Sequence, residues 1–448
     1  VIRRHHLTLV ATGLALGMLA TVVACSSSDD GPNTNTDKAD GGDAGDAAAP
    51  TDSARPDAAE AAVDAGELVD ASVPAITCAT SPCAVEIAAG ADSACVRMSD
   101  GTVRCWGSDI GHALGRSPDS TASTLSPAPV GGLTGVTQLS GSASYPGDVY
   151  CALRTGGEAV CWGSNDKGVL GRVVAGAVDV ESSPTPAPIE GLGTATGIFA
   201  GERVSCATHA DGEVSCWGSN EAGQIPSLPR DAAALASATK FALGSKGSAL
   251  AVAGRGTIAL TESGLVSWGL SGTYLGSQTG VLGREVSWPA SPPDKIELSW
   301  VSSITARGNR ACALSNGRVY CWGAAPTVGA DSVYPAPAGV EPKGEYALTV
   351  TVGARAACSM LSNQTAVCWG DNAYGQLGGG DAEVRATPVV VKSLAGPPVR
   401  FAIMDTATCA LLRDGNVQCW GQNDKGQLGS GTADALPHFE PKTLVLTP

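Results

Sequence analysis

Trp-Gly occurs seven times in this 448-residue chain: Trp106-Gly107, Trp162-Gly163, Trp217-Gly218, Trp268-Gly269, Trp322-Gly323, Trp369-Gly370 and Trp420-Gly421. Successive copies lie 56, 55, 51, 54, 47 and 51 residues apart. Self-similarity at a period near fifty marks an array whose units bury their faces against one another. Six copies are preceded directly by Cys, with a second Cys nine or ten residues earlier. After Trp-Gly, several copies carry a polar turn containing Asn and then Gly-x-Leu-Gly, as in Asn165 to Gly171 and Asn423 to Gly429.

Each Cys-to-Cys segment reads as a β-hairpin. In Cys409–Cys419, two short apolar runs flank Arg413-Asp414-Gly415. A three-residue loop puts Gly415 at the left-handed position, where Gly is favoured. Counting outward, Leu412 faces Asn416 and Cys409 faces Cys419. The same count works for Gly101, Gly157 and Gly212. Between Cys312 and Cys321 the centre is Asn316-Gly317, a preferred two-residue turn. One fewer loop residue gives one fewer residue of spacing, and the Cys still oppose. The sixth copy departs, with Gln364 at the Gly position.

Directly opposed Cys lie within disulfide reach. The expected bridges are Cys95–Cys105, Cys151–Cys161, Cys206–Cys216, Cys312–Cys321, Cys358–Cys368 and Cys409–Cys419, with Cys78–Cys83 a seventh. The fourth copy loses both Cys together, at about Ile258 and Ser267. Independent buried thiols would have no reason to vanish as a pair. Zinc sites want clustered ligands two to four residues apart, whereas these pairs lie in separate copies. Six or seven bridges require an oxidising compartment.

Composition agrees with a sheet fold. There are 58 Gly and 27 Pro, only four Met, and 16% charged residues. Many turns and few helix formers point to an all-β class. The net charge of −15 opposes a nucleic-acid-binding surface.

The consensus Cys-Ala-Leu-x-x-x-Gly-x-Val-x-Cys-Trp-Gly-x-Asn-x-x-Gly-Gln-Leu-Gly resembles the repeat of the regulator of chromosome condensation family. The sixth and seventh copies carry it most fully, in Gly370-Asp371-Asn372 through Gly378 and Gly421-Gln422-Asn423 through Gly429. The resemblance covers 76–448 and implies a seven-bladed β-propeller with four-stranded blades. It also implies a first blade closed by strands from both chain ends. Val85-Glu86-Ile87 and the segment from Pro441 to Leu446 are the expected partners. Family members share protein binding by loops on one propeller face.

The N-terminus reads as an address. Arg3, Arg4, His5 and His6 precede an apolar run from Leu7 to Ala24, with Val1 read as a non-AUG start. Val22-Val23-Ala24-Cys25 before Ser26-Ser27-Ser28-Asp29-Asp30 resembles a bacterial lipobox. Residues 1–24 are then a lipoprotein signal peptide, and Cys25 carries the lipid. Residues 25–75 follow as a tether rich in Asp, Ala, Gly and Pro. Over 26–75 there are twelve acidic residues and two basic ones, with almost no large apolar side chains. Such a segment cannot bury enough surface to order itself.

Chemistry is sparse. His112, His209 and His438 fall in different copies. Ser164-Asn165-Asp166-Lys167 has Ser-x-x-Lys spacing but sits in the polar turn of a repeat, where Asn and Lys recur without Ser. No catalytic, cofactor or metal residues are assigned. The expected function is non-enzymatic: a monomeric, lipid-anchored module in the bacterial cell envelope, outside the cytoplasm, binding a protein partner. An exported hydrolase or lyase and a glycan-binding module are the alternatives. Tyr274, Trp288 and Trp300 fall in the irregular stretch 270–300 and are candidate partner contacts. For Trp300, within Leu298-Ser299-Trp300-Val301, a strand-core aromatic is the competing reading.

Overall fold

Seven four-stranded antiparallel sheets follow one another along the chain in the computed structural model. It describes residues 73–116, 124–228, 235–270, 280–283, 291–324, 333–340 and 345–446. The sheets are blades 1 to 7, spanning 84–129, 136–188, 197–241, 247–296, 301–340, 351–390 and 398–443. The innermost strand of each blade lies beside that of the next, and that of blade 7 lies beside that of blade 1. The array is therefore a closed seven-bladed propeller. Closure leaves no free sheet faces for other chains to stack on.

The second and third strands of a blade are buried on both faces, because a neighbouring blade covers each side. In blade 3, every residue of Val204–Thr208 and Val214–Gly218 is buried. Outer strands such as Asp434–Thr443 mix exposed and half-buried positions. The core is thus divided into one apolar cluster per blade interface. Cys95, Val103 and Cys105 of blade 1 pack with Leu139, Tyr150 and Trp162 of blade 2, and equivalent clusters follow round the ring.

The hairpins have the expected registers. Cys409 opposes Cys419, and Leu412 N donates to Asn416 O at 2.8 Å. Gly415 has φ +82°, and Asn316-Gly317 has φ +45° and +75°, the pair of positive values a two-residue turn of this kind needs. Gln364 occupies the left-handed position in blade 6, with φ +68°. Six disulfides bridge opposed strands with Cα atoms 4.0 to 4.1 Å apart. Cys78–Cys83 is the seventh. In blade 4, Ile258 stands directly opposite Ser267.

Ring closure differs from the expectation. The C-terminal strand does not enter blade 1. It runs as Asp434–Thr443 and pairs with Val417–Asn423 of its own blade, with Lys442 opposite Cys419. Blade 1 takes all four strands from 84–129. The reason lies in the repeat: each fourth strand follows the Trp-Gly of its own copy, so no strand is left over. Other groups close the seam. Trp106 Nε1 donates to Gln427 O at 2.8 Å across 321 residues. Lys425 Nζ meets Asp92 Oδ2 at 2.6 Å. Asp405 N donates to Ala91 O and Gly431 N to Leu125 O. Residues ahead of blade 1 also bond the tip of blade 7: Thr77 N reaches Arg413 O at 2.7 Å and Ala79 N reaches Asp414 O at 3.0 Å. Leu428 and Leu444 of the C-terminal part join Ile87, Met98 and Trp106 in one apolar cluster.

Candidate functional site

Strand direction divides the ring into two faces. Turns between first and second strands, and segments between third and fourth strands, stand on the turn face. Hairpin tips and blade-to-blade connections stand on the opposite, hairpin face.

On the turn face the repeat motif builds a latch. The Gly of Trp-Gly is required by space and backbone alike. Gly163 has φ +104°, and a Cβ there would lie 2.3 Å from Asp148 O. The chain then enters the polar turn. Asn165 Oδ1 accepts from Leu170 N at 2.9 Å while its Nδ2 donates to Asp179 O at 2.7 Å. Asn372 and Asn423 do the same for Leu377 and Leu428. Leu170 is thereby pressed into the interface with blade 3. The residue before it, Val169, offers its carbonyl to Trp217 Nε1 of the next blade at 2.8 Å. Trp162, Trp268, Trp322 and Trp420 make the equivalent bond to the preceding blade. The recurrent Trp is buried inter-blade packing, its indole N–H bonded to the preceding blade in six copies and without a partner among the described residues at Trp369. The Asn role was not read from the sequence, although its recurrence five residues before Leu was visible there.

The axis is closed near the turn face. Arg307, 9% exposed, ends the innermost strand of blade 5. Its Nη1 donates to Ile403 O of blade 7 at 3.0 Å and Ala89 O of blade 1 at 3.4 Å. Its Nη2 donates to Asp405 Oδ1 at 3.3 Å. Behind it lies an axial cavity of about 230 Å³ lined by inner-strand residues of all seven blades. Asp148, fully buried, accepts from Ala91 N at 2.6 Å and Ser93 Oγ at 2.6 Å. Burial pushes its carboxyl above the ordinary carboxylate range, with Ser93 pulling back. Asp405 is likewise raised by burial and pulled back by Arg307.

Seven of the thirteen exposed large apolar side chains among the described residues, Ile110, Tyr145, Val173, Val174, Val180, Tyr374 and Val384, lie in the turns and segments of the turn face, in blades 1, 2 and 6. Tyr145 is 75% exposed. Its turn, longer in blade 2 than in its neighbours, rests on blade 1: Gly147 packs against the carbonyl of Ile110 so closely that no Cβ would fit. Blade 2 also adds a small hairpin, Val173–Val174 with Ala177–Val178. The sequence signal for Tyr145 was an insertion before Cys151: Leu139 and its partner Ala152 lie 13 residues apart, where Ile87–Val96 and Ile198–Ala207 of the neighbouring blades lie 9 apart.

The histidines are dispersed. His209 Nδ1 meets Thr194 O at 2.9 Å and Nε2 meets Ser215 Oγ at 2.7 Å, bracing blade 3. His438 pairs with Asp434 at 3.0 Å on the outer strand. Ser164 is buried and accepts from Gly147 N at 3.1 Å, so it holds a turn, while Lys167 pairs with Asp166. No group of three metal-ligating side chains occurs among the described residues.

Cys25, Tyr274 and Trp288 lie outside the described residues. Trp300 is exposed, not a strand-core aromatic, and stands on the hairpin face just before Val301–Arg307. The stretch 270–300, expected as one connection, is divided by the fourth strand of blade 4, Ser291–Ile296. Leu270 and Ser291 stand at the turn face, so Trp300 belongs to a different surface.

Models of the regulator of chromosome condensation (RCC1) repeat match residues 84–109, 195–224, 405–427 and 368–411. The chain carries RCC1 repeats and folds as a seven-bladed propeller. It is 28% identical over 329 residues to the human E3 ubiquitin-protein ligase HERC2, covering 70% of this chain and only 7% of HERC2. It is 28% identical over 326 residues to the ultraviolet-B receptor UVR8 of Arabidopsis thaliana, covering 69% of this chain and 70% of UVR8. Yeast RCC1 (Prp20), solved bound to Kap60, superposes with a TM-score of 0.64 at 18% identity, over 77% of this chain and 83% of that one. Human WBSCR16 does so with a TM-score of 0.60 at 21% identity, over 72% and 85%. These likenesses show the fold.

Proposed function

We propose that this RCC1-repeat chain is a non-enzymatic, lipid-anchored extracytoplasmic module whose turn face binds a protein partner. One observation carries the reading: the exposed apolar side chains of the turn face, led by Tyr145, sit on a rigid ring. An aromatic anchor among apolar neighbours is what the centre of a protein interface requires. The solved yeast relative in complex with Kap60 supports protein binding as a use of this fold; the partner here is a separate matter, since fold does not fix ligand. Seven disulfides support an oxidising location, and the Val22-Val23-Ala24-Cys25 sequence supports lipidation of Cys25.

A photo-crosslinking residue at position 145, in the full chain on native envelopes, tests the binding. We expect one discrete protein adduct from position 145 and none from position 213 on the hairpin face. Equal adducts from both positions, or none from 145, would overturn the reading. Metabolic acyl labelling tests the anchor: the label is expected on the native chain and absent from Cys25→Ser.

A further inference from the structure

On the hairpin face, blades 4 and 5 depart from the others. Blade 4 lacks the disulfide and turns on Glu262-Ser263. Blade 5 has the short Asn316-Gly317 tip. Between the blade 4 tip and the connection into blade 5 runs an open groove of about 520 Å³. Thr261, Glu262 and Ser263 form one wall; Lys295, Glu297 and Trp300 form the other. Trp300 is 66% exposed and has φ +56°, a conformation bulky residues rarely adopt. Neighbouring bonds hold it there: Asn316 N donates to Trp300 O at 3.2 Å, and Ser315 Oγ donates to Ser299 O at 2.6 Å. Left-handed backbone costs a non-glycine residue roughly 1–2 kcal/mol. Strain of this kind persists where surrounding structure enforces it, and it concentrates at ligand sites.

We propose that this groove is a saccharide-binding site with Trp300 as its stacking platform. The chemistry of the walls selects the ligand. One exposed indole stands among a hydroxyl (Ser263), carboxylates (Glu262, Glu297) and an ammonium (Lys295). A pyranose presents an apolar C–H face to an aromatic ring, and its hydroxyls need neighbours that both accept and donate. The centre of a protein interface, by contrast, is depleted of charged residues. Carboxylates and an ammonium together give no single sign of charge to draw a basic or acidic peptide. The volume falls within the range of about 300–1,000 Å³ for small-molecule sites. The groove lies on the face opposite Tyr145, so the site stands independently of the protein-binding reading.

Saturation-transfer NMR and tryptophan fluorescence on the full chain test it, with cellobiose, maltose and N,N′-diacetylchitobiose as probes and a Lys-rich peptide as competitor class. At least one sugar should bind saturably, with Kd in the millimolar range. Trp300→Ala should weaken it about tenfold or more, as loss of a stacked ring implies, without changing the melting temperature. Glu297→Gln should weaken binding with the ring intact, and Tyr145→Ala should leave it unchanged. No saturable response to any of the three sugars, a response indifferent to Trp300→Ala, or binding of the peptide alone overturns the proposal. Loss of the crosslink at position 145 bears on the protein-binding reading only.

Discussion

Gln364 and Gly415 hold the same place in two hairpins, and the difference between them can be measured. Gln364 takes φ +68° without the freedom of glycine. Gln364→Gly relieves left-handed strain of roughly 1–2 kcal/mol and adds roughly 0.5–1 kcal/mol of chain entropy to be lost on folding. A net gain of about 0.5–1 kcal/mol is expected in denaturant unfolding. Gly415→Ala goes the other way, because a Cβ there lies 2.5 Å from Cys83 Sγ as well as at φ +82°; a loss of about 2 kcal/mol or more is expected. Asp148 gives a pH signature. Its folded carboxyl is raised by burial, so its favourable contribution is complete below the ordinary carboxylate range and declines as pH rises through the folded value. Asp148→Asn should flatten that decline in melting temperature measured from acid to neutral pH. Hairpin registers were legible at this scale because turn length and Gly position together fix which residues oppose. Arg307 was not: it owes its role to blades 1 and 7, which the local sequence does not name.

Blade 4 shows what one element gains from its disulfide. Ile258 and Ser267 are opposed as the Cys are elsewhere. Replacing both with Cys closes a loop of about ten residues, worth roughly 2–3 kcal/mol in the chain-entropy model. The change also removes the bond from Ser267 Oγ to Leu282 O at 2.7 Å, worth about 1 kcal/mol. The double variant should therefore melt higher under oxidising conditions and lower than the native chain under reducing ones. Differential scanning calorimetry with and without reductant reads both signs. The two central strands of a blade could be read from its Cys hairpin, whereas the four-stranded blade followed only from the resemblance of the repeat to its family. The fate of the last strand could not be read. Its sequence does not name its partner strand, and only the full count of strands decides.

Across the whole molecule, seven blades close without exchanging a strand, so the seam between blades 7 and 1 rests on side chains and a few backbone bonds. Arg307 reinforces it by tying blade 5 to both seam blades across the axis. Arg307→Met should lower stability by about 2 kcal/mol, from lost hydrogen bonds to a charged group, and should sharpen proteolysis near the seam. The seam itself is open to direct chemical test. Lys425 and Asp92 lie 333 residues apart in sequence and 2.6 Å apart in space. Lys240 sits 2.7 Å from Glu213 within blade 3 and serves as an internal control. Zero-length carbodiimide coupling followed by peptide mass mapping should give both the Lys240–Glu213 and the Lys425–Asp92 amides. Formation of the blade 3 amide with no Lys425–Asp92 product would contradict the closed ring and favour an open array of blades.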